Sequence, residues 1–350
     1  MKNGESCMIQ RRSASVFALC IAVAAACAEV APLPDALTRD ALTCIDMIYK
    51  ENFKQSEAEA KKVIKNFPDH PAGYFFYAAT IDAWMSWYQS TSKEELFYQY
   101  CDKAIEKGEA LLDKDPNDFW AKFFVGGADG YKGTYESRQG RWITAFRYGW
   151  KGASTLMELA EKKPGIADLD FGIGCYEYWR SAMAKALLMI VDDKRQSGID
   201  RLYKARRDGL FTRLSSAVNL IDILSNEKRY DEAMAVIEES QKIYPNALVF
   251  RWGKAKIYLE KKQWHEAESE YQYLLGRAES ESYDNHYNAV LCHLNLAKIY
   301  MQTKQFTQAI AECNRIGYYS LSEEVRKQLD SSLKEAASLK EQALNAKTKG

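Results

Sequence analysis

The sequence predicts an all-α protein built from repeated helix pairs. Leu, Ala, Lys, Glu and Tyr are frequent, only seven prolines occur in 350 residues, and few segments alternate apolar with polar residues as strands do. A short phrase, in which an aromatic residue stands three positions before a small one, recurs in the second half of the chain. A chain of this length can bury a sizeable core, as one long domain or two short ones.

The charge composition argues against nucleic acid as a partner. The chain has 48 basic and 48 acidic residues, so it carries no basic excess that would neutralise phosphates. We therefore expect the partner to be a protein, a peptide or a small molecule.

Residues 1–28 have the pattern of a secretory signal peptide. Two arginines precede the apolar run SASVFALCIAVAAA, which is short for a membrane span, and the A-C-A sequence that ends at Ala28 fits a small-residue cleavage site. The pattern predicts export to the periplasm. Two alternatives stay open, an uncleaved anchor and lipidation of Cys27, and we expect membrane contact only in the lipidated case.

The remaining cysteines and the histidines do not indicate a disulfide framework or a metal site. Five cysteines are an odd number, no C-x-x-C spacing occurs, and no histidine pair has zinc-binding spacing. Buried thiols are therefore expected, although one pair, 292 with 313, stays open. No metal or cofactor is predicted. The five cysteines are Cys44, Cys101, Cys175, Cys292 and Cys313.

The recurring phrase predicts the second helix of a helix pair. It reads RYDEAMAVIEESQKIYPN at 229–246, QWHEAESEYQYLLGRAES at 263–280 and QFTQAIAECNRIGYYSLS at 305–322. For the second and third phrases, a further small residue stands on the preceding helix, twelve positions before the small residue of the phrase. Small side chains at both places let two antiparallel helices cross closely. These helix-crossing residues are Ala233, Ala267 and Ala309, with Ala255 and Ala297 on the preceding helices.

With these spacings, residues 214–317 resemble the tetratricopeptide repeat (TPR) family. The family unit is a 34-residue helix–turn–helix, with small residues at its eighth and twentieth positions and a proline near its end. The resemblance implies a right-handed α-solenoid of helix pairs. It also implies a non-catalytic scaffold that binds a protein or peptide in its concave groove.

Prolines extend the repeat towards the N-terminus. Pro68, Pro116 and Pro164 lie 48 residues apart, so the central repeats are about a dozen residues longer than the family unit. Longer central helices are the simplest explanation, and a long loop within the pair is the alternative. Small residues again fall at the crossing positions counted from these prolines. In the central repeats they are Gly126, Gly152, Gly174 and Gly198.

The complete assignment places a solenoid at 35–320 and a C-terminal capping helix at 321–345. The capping helix combines an apolar stripe with a charged outer face, as the end of a solenoid requires. About seven helix pairs are expected, near 37–68, 71–116, 119–164, 167–210, 214–245, 248–279 and 284–317.

A glycine-rich stretch, VGGADGYKGTYESRQGRWITAFRYGWKG at 125–152, raises the possibility of a phosphate-binding loop. It lacks the spacing of a P-loop and of a dinucleotide fingerprint. Several glycines instead share one helix face, where each costs about 1 kcal/mol relative to alanine unless close packing offsets it. The stretch therefore predicts a turn between two long, closely packed helices. No catalytic motif accompanies it, so we predict no enzyme and no catalytic residue.

The residues predicted to line the groove come from the register of the TPR resemblance. Aromatic side chains with a few charges suit a binding groove, although core packing is the alternative for most of the aromatics. Four arginines of the central region could hold acidic groups. The predicted groove consists of Phe75, Asp82, Trp120, Phe123, Tyr131, Phe171, Tyr178, Trp179, Trp252 and Lys256, with Arg138, Arg141, Arg147 and Arg180; Asp168 and Asp222 occupy further groove positions.

A second function stays open at this point. The chain could be a small-molecule-binding accessory component of an envelope transport system. A deep apolar cavity within 119–210 would favour that alternative, whereas an open groove would favour the peptide scaffold.

Overall fold

The structure, a computed structural model, is all-α. It describes residues 30–186, 192–281, 283 and 285–349, and within these residues it contains sixteen helices and no strand. The predicted signal peptide, with Cys27 and the cleavage residue Ala28, lies outside the described residues. None of the helices in the described part of the chain is long and apolar enough to span a membrane.

Successive helices form pairs that stack into a solenoid, which confirms the predicted fold class. Two further helices, α15 (Glu323–Gln328) and α16 (Asp330–Lys349), follow the last pair. The pairs are α1 (Asp35–Tyr49) with α2 (Phe53–Asn66), α3 (Pro71–Tyr88) with α4 (Glu94–Leu112), α5 (Phe119–Arg138) with α6 (Trp142–Lys162), α7 (Ala167–Ala186) with α8 (Arg195–Asp208), α9 (Arg213–Asn226) with α10 (Tyr230–Gln241), α11 (Leu248–Glu260) with α12 (Trp264–Glu279), and α13 (Tyr287–Gln302) with α14 (Phe306–Ile316).

The extra residues of the central repeats lengthen the helices. Helices α3 to α7 have 18 to 21 residues each, whereas α9 and α10 have 14 and 12. Most of the glycine-rich stretch is therefore helix, and only residues 139–141 connect α5 to α6. The prediction of longer central helices is confirmed, but the turn is much shorter than the stretch that suggested it.

The C-terminal cap differs from the single helix predicted at 321–345. The chain bends at Leu329, between α15 and α16. The Leu329 side chain is fully buried and packs in one cluster with Val325, Leu294 and Ala336. The bend therefore lets both cap helices cover the apolar face of the last repeat.

Glycines bring the backbones of the long helices into direct contact. A Cβ atom on Gly152 of α6 would lie 2.6 Å from the carbonyl oxygen of Gly126 in α5, and a Cβ on Gly198 of α8 would lie 2.6 Å from that of Gly174 in α7. These distances are below van der Waals contact, so only glycine allows the crossing. In the shorter repeats, alanine suffices: Ala233, Ala255, Ala267, Ala297 and Ala309 are all fully buried.

We expect Gly152→Ala to destabilise the protein. The added methyl group meets backbone atoms that cannot move aside, so overpacking should cost about 1–3 kcal/mol. Gly149→Ala, three residues earlier in the same helix, is the matched control because no atom lies within 4 Å of its Cβ position. It should gain up to about 1 kcal/mol from helix propensity. Urea unfolding of both variants checks this, and equal stabilities would contradict the contact.

The first repeat contacts the fifth and sixth repeats. The Glu51 carboxylate, between α1 and α2, accepts a hydrogen bond of 2.8 Å from the backbone N–H of Leu248, the first residue of α11. The Tyr244 hydroxyl donates to the Asp46 carboxylate at 3.0 Å, and the ring of Tyr49 stacks on a phenylalanine of α11. A carboxylate at a helix N-terminus is favourable because it satisfies a free N–H and the helix dipole.

The second repeat makes a similar contact with the last repeat and the cap. The Trp87 indole N–H donates to the Glu281 carboxylate at 3.2 Å, and the Asn288 side-chain amide donates to the Trp87 carbonyl oxygen at 2.9 Å. The backbone N–H of Thr91 donates to Glu324 of α15 at 2.8 Å. We call these two contact regions together the closing seam, because they join the two ends of the solenoid.

The closing seam should make stability depend on pH through Glu51. Burial raises the pKa of Glu51 from 4.5 to about 7, with the nearby Glu281 adding to the rise and Leu248 N–H and Arg277 opposing it. The folded state therefore binds this proton more tightly than the unfolded state. The contribution of Glu51 to the free energy of unfolding is therefore largest below pH 4.5, and it is lost as the pH rises to about 7.

We predict that Glu51→Gln removes this contribution. The variant keeps an oxygen that accepts from Leu248, so it should match the wild type at pH 4.5 and exceed it by about 1–3 kcal/mol at pH 8. Denaturant unfolding across this pH range measures the difference. Glu106→Gln, at an exposed position of α4, is the control and should show no such pH-dependent gain. A constant difference between wild type and Glu51→Gln would contradict the account.

Candidate functional site

Several aromatic residues predicted to line the groove belong to the hydrophobic core. Phe123 and Tyr178 are buried, and Phe75 packs against Tyr131 with ring centroids 5.2 Å apart. The Tyr178 hydroxyl is also used internally, since it donates to Glu227 at 2.9 Å. The predictions that Phe123 and Tyr178 contact a partner are therefore wrong, because neighbouring parts of the same chain already cover them.

We define the inner face as the surface formed by the first helix of each pair. In the first repeats, other parts of the chain fill this face. Phe211, in the turn between α8 and α9, lies 5.6 Å from Phe76 and 5.8 Å from Trp120 between ring centroids. The Trp120 indole N–H donates to the carbonyl oxygen of Ala31 at 2.9 Å. Trp120 is half-buried, and both its ring and its N–H are engaged within the chain, so its role as a partner contact stays a prediction.

Asp168 explains how Phe211 reaches this position. Its carboxylate accepts hydrogen bonds of 2.8 to 2.9 Å from the backbone N–H groups of Leu210, Phe211 and Thr212. These groups precede α9, so the buried Asp168 fixes the turn that leads into that helix. The groove position predicted for Asp168 is therefore a structural one.

Two of the four predicted arginines also make internal ion pairs. The guanidinium of Arg138 binds the carboxylate of Asp82, which is buried on α3. Arg141 binds Glu136 and reaches Glu94 of α4 at 2.8 Å. Removing a buried partner from such a pair is costly, so these side chains hold helices together rather than offer a free charge to a ligand.

The inner face stays accessible between α7, α9 and α11. Asp222 of α9 is solvent-exposed, yet the surrounding protein desolvates its carboxylate and raises its pKa, with Lys256 of α11 opposing the rise. Cys175 of α7 has the same combination, partial exposure with a pKa raised to about 12 by burial. Helices α7, α9 and α11 are the first helices of consecutive pairs and pack side by side, so these accessible side chains lie on the concave inner face of the solenoid.

We call this concavity the inner cleft. Two half-buried aromatic residues belong to the same helix faces as Cys175 and Lys256, because each stands four positions before one of these two residues. Phe171 precedes Cys175 on α7, and Trp252 precedes Lys256 on α11. The inner cleft therefore presents aromatic surface beside one acidic and one basic side chain. Of the predicted groove, Phe171, Trp252 and Lys256 lie here, together with Asp222.

The remaining predicted residues lie on a second surface, formed by α6 and the C-terminal half of α7. Arg147 and Trp179 are exposed and Arg180 is half-buried. Around them stand six of the eleven large apolar side chains that are exposed in the described chain. We call this set the α6–α7 surface: Trp142, Ile143, Phe146, Trp150, Trp179 and Met183.

Five members of the α6–α7 surface, all except Trp179, were missed as site residues from the sequence. Trp142, Phe146 and Trp150 repeat every four positions and Ile143 flanks the first, which is the spacing of one helix face. Such a stripe usually packs into a core, and only the structure shows that no helix of the described residues covers this one.

The cysteines form no disulfide in the structure. All five described cysteines are free, and four of them are buried. The pair 292 with 313 is therefore not bonded. In the described residues, no three His, Cys, Asp or Glu side chains are close enough together to hold a metal ion.

Comparisons with known proteins support the fold and nothing finer. No protein-family model matches the chain, and no curated protein matches it. Among solved structures, the APC/C hetero-tetramer Cut9–Hcn1 matches 83% of this chain and 52% of its own at 14% identity, with a TM-score of 0.50. The chain thus spans about half the length of that relative.

Two further solved structures match with lower TM-scores. A thermophilic TPR protein of Thermus thermophilus matches 64% of this chain and 99% of its own at 17% identity, with a TM-score of 0.41. The human IFIT1 dimer with m7Gppp-AAAA matches 84% of this chain and 68% of its own at 14% identity, with a TM-score of 0.43. Of these matches, the one with the TM-score of 0.50 supports the α-solenoid fold class that the sequence predicts.

We predict opposite roles for two tryptophans from the predicted groove. Trp120→Ala removes a half-buried ring that packs against Phe123 and Phe211, so it should cost about 2–3 kcal/mol of unfolding free energy. Trp179→Ala changes an exposed side chain and should cost about 1 kcal/mol or less. Thermal and urea unfolding compare the two variants. Equal losses would contradict the assignment of Trp120 to the core.

Proposed function

We propose that this protein is a non-catalytic TPR-type scaffold that binds a protein or peptide segment in its inner cleft. One observation carries the proposal: α7, α9 and α11 pack side by side and leave Asp222 and Lys256 solvent-exposed on the inner face. The inner cleft is therefore a concave surface that the chain's own side chains leave uncovered, whereas Phe211 and the residues around Ala31 cover the inner face of the first repeats.

The side chains of the inner cleft suit a mixed apolar and charged segment. Phe171 and Trp252 offer aromatic contact area, which commonly dominates peptide binding. Asp222 and Lys256 carry opposite charges, and a partner's charges pair with them more strongly where water is partly excluded. We therefore expect a bound segment with apolar anchors, a basic side chain near Asp222 and an acidic one near Lys256.

The location of this binding is a second part of the proposal. The pattern at residues 1–28 supports export, so we place the protein and its partner in the cell envelope, in the periplasm or anchored there through Cys27. Mass analysis of the purified native protein tests this, since cleavage before Glu29 or a lipid on Cys27 gives different N-terminal masses. An intact N-terminus at Met1 would contradict export by cleavage.

The inner cleft is tested by site-specific photo-cross-linking. A photoreactive residue at position 256 should cross-link a defined protein in envelope extracts, and one at Lys242, exposed at the end of α10, should not. The identified partner is then titrated against purified variants. We expect Trp252→Ala combined with Asp222→Asn to weaken binding at least about tenfold, since both an aromatic anchor and a charge are lost. Unchanged affinity would contradict the proposal.

A small-molecule-binding accessory function is the alternative, and the desolvated walls of the same cleft favour it. The hollow that borders the central repeats favours it less, because its volume is only about 230 Å³ and its lining is mostly polar. That hollow is lined by Met85, Ser86, Gln89, Ser90, Tyr135, Arg138, Gln139, Tyr287 and Gln328. Native mass spectrometry separates the functions: a small bound mass that Trp252→Ala removes would support this alternative.

A further inference from the structure

The α6–α7 surface concentrates exposed apolar side chains in a way that the scaffold function does not explain. Ile143 is 90% exposed, and Trp142, Phe146 and Trp150 are each about half exposed. Large contiguous apolar patches are rare on the free surfaces of monomeric proteins and mark places of interaction. This one lies on two adjacent long helices, α6 and α7, and includes no residue of α9 or α11.

The patch is continuous between the two helices. On α6, the positions 142, 143, 146 and 150 share one face, and on α7 the positions 176, 179 and 183 do the same. Tyr176 joins them, because its ring centroid lies 6.2 Å from that of Phe146 and 5.6 Å from that of Trp150. The long central helices thus carry one connected aromatic surface.

Basic side chains surround the patch. The segments 142–158 and 176–186 contain four basic residues and two acidic ones, Glu158 and Glu177. One of the basic residues, Lys151, pairs with the buried Asp129 at 3.1 Å. Glu158 is itself paired with two lysines. Glu177 is buried and binds Arg201 of α8 at 3.2 Å.

Arg147 lies over the ring of Tyr148 at 5.3 Å, and neither Arg147 nor Arg180 has a salt-bridge partner in the described chain. The surface therefore presents positive charge, whereas both carboxylates on these segments are paired.

We propose that the α6–α7 surface docks on an anionic lipid bilayer. Tryptophan and tyrosine rings favour the headgroup level of a membrane, and arginine can place its charge among lipid phosphates while its stem covers apolar surface. Ile143 and Trp142 project far from the protein, as insertion into a deformable interface requires. A rigid protein partner would instead need a pocket shaped around each of them.

The α6–α7 surface adjoins the inner cleft on α7, because Trp179 stands four positions after Cys175. It leaves the cleft residues Asp222, Trp252 and Lys256 free. The α6–α7 surface uses no residue of α9 or α11, so a scaffold attached to the membrane in this way keeps its cleft available. Binding strength should rise with buried apolar area and with the fraction of anionic lipid, and it should fall with salt because surface charge is screened.

Sedimentation with lipid vesicles tests the proposal on the full chain. We expect binding to vesicles that mix phosphatidylcholine with phosphatidylglycerol, weaker binding to phosphatidylcholine alone, and a blue shift of tryptophan emission. Combined Trp142→Ser, Ile143→Ser and Phe146→Ser should weaken partitioning at least about tenfold. Arg147→Glu with Arg180→Glu should remove the preference for anionic lipid.

Ile243→Ser with Tyr318→Ser is the matched control, because both residues are exposed apolar positions elsewhere on the chain. These variants should bind vesicles like the wild type, and circular dichroism should show all variants equally folded. Failure of the wild type to bind anionic vesicles would overturn the proposal, and so would binding that the α6–α7 substitutions leave unchanged. A dimer that the same substitutions abolish, without vesicle binding, would assign the surface to self-association instead.

Discussion

The contact between the first repeat and the sixth decides how much of the inner face a partner can reach. A solenoid whose repeats touch only their neighbours keeps its concave side open along its whole length. Here Glu51 binds the first N–H group of α11, and Trp87 and Thr91 bind residues close to the last repeat and the cap. Closing the two ends on each other adds long-range contacts that a simple stack of repeats lacks.

This closure accounts for the fate of the predicted groove. Tyr49, in the same first repeat as Glu51, stacks on a phenylalanine of α11. This contact packs aromatic residues near the centre of the solenoid on several sides. Phe211, held in its turn by Asp168, covers the inner face near Phe76 and Trp120. The segment between α7, α9 and α11 keeps accessible side chains, and these form the inner cleft.

Glycine contacts explain the second surface. Because Gly126 and Gly152 let the backbones of α5 and α6 touch, two long helices pack closely, and the outward face of α6 is left to carry other side chains. In the described chain, no neighbouring helix covers the tryptophans of that face. Close packing on one side and exposure on the other are thus two consequences of the same long helix.

Local patterns in the sequence predicted the fold far better than the site. Proline spacing and crossing glycines report on contacts between adjacent helices, so the long central helices and the glycine crossings could be derived from them. The groove register correctly places Trp120 and Phe123 on a first helix, but it cannot show that Phe211, nearly ninety residues away, packs there. The spacing of Trp142, Phe146 and Trp150 indicates one helix face in the sequence. A buried face and an exposed face have the same spacing, and only long-range packing decides which of the two is present.

The closure itself can be measured directly by pulsed electron spin resonance. Spin labels at Lys54 and Asn246, exposed positions close to Glu51 and Leu248, are introduced as cysteines, with Cys175 changed to serine to avoid labelling there. Since Glu51 and Leu248 are in hydrogen-bond contact and each label is only a few residues away, a single narrow distribution below about 30 Å is expected. A broad distribution centred well beyond that distance would show an open solenoid and contradict the account.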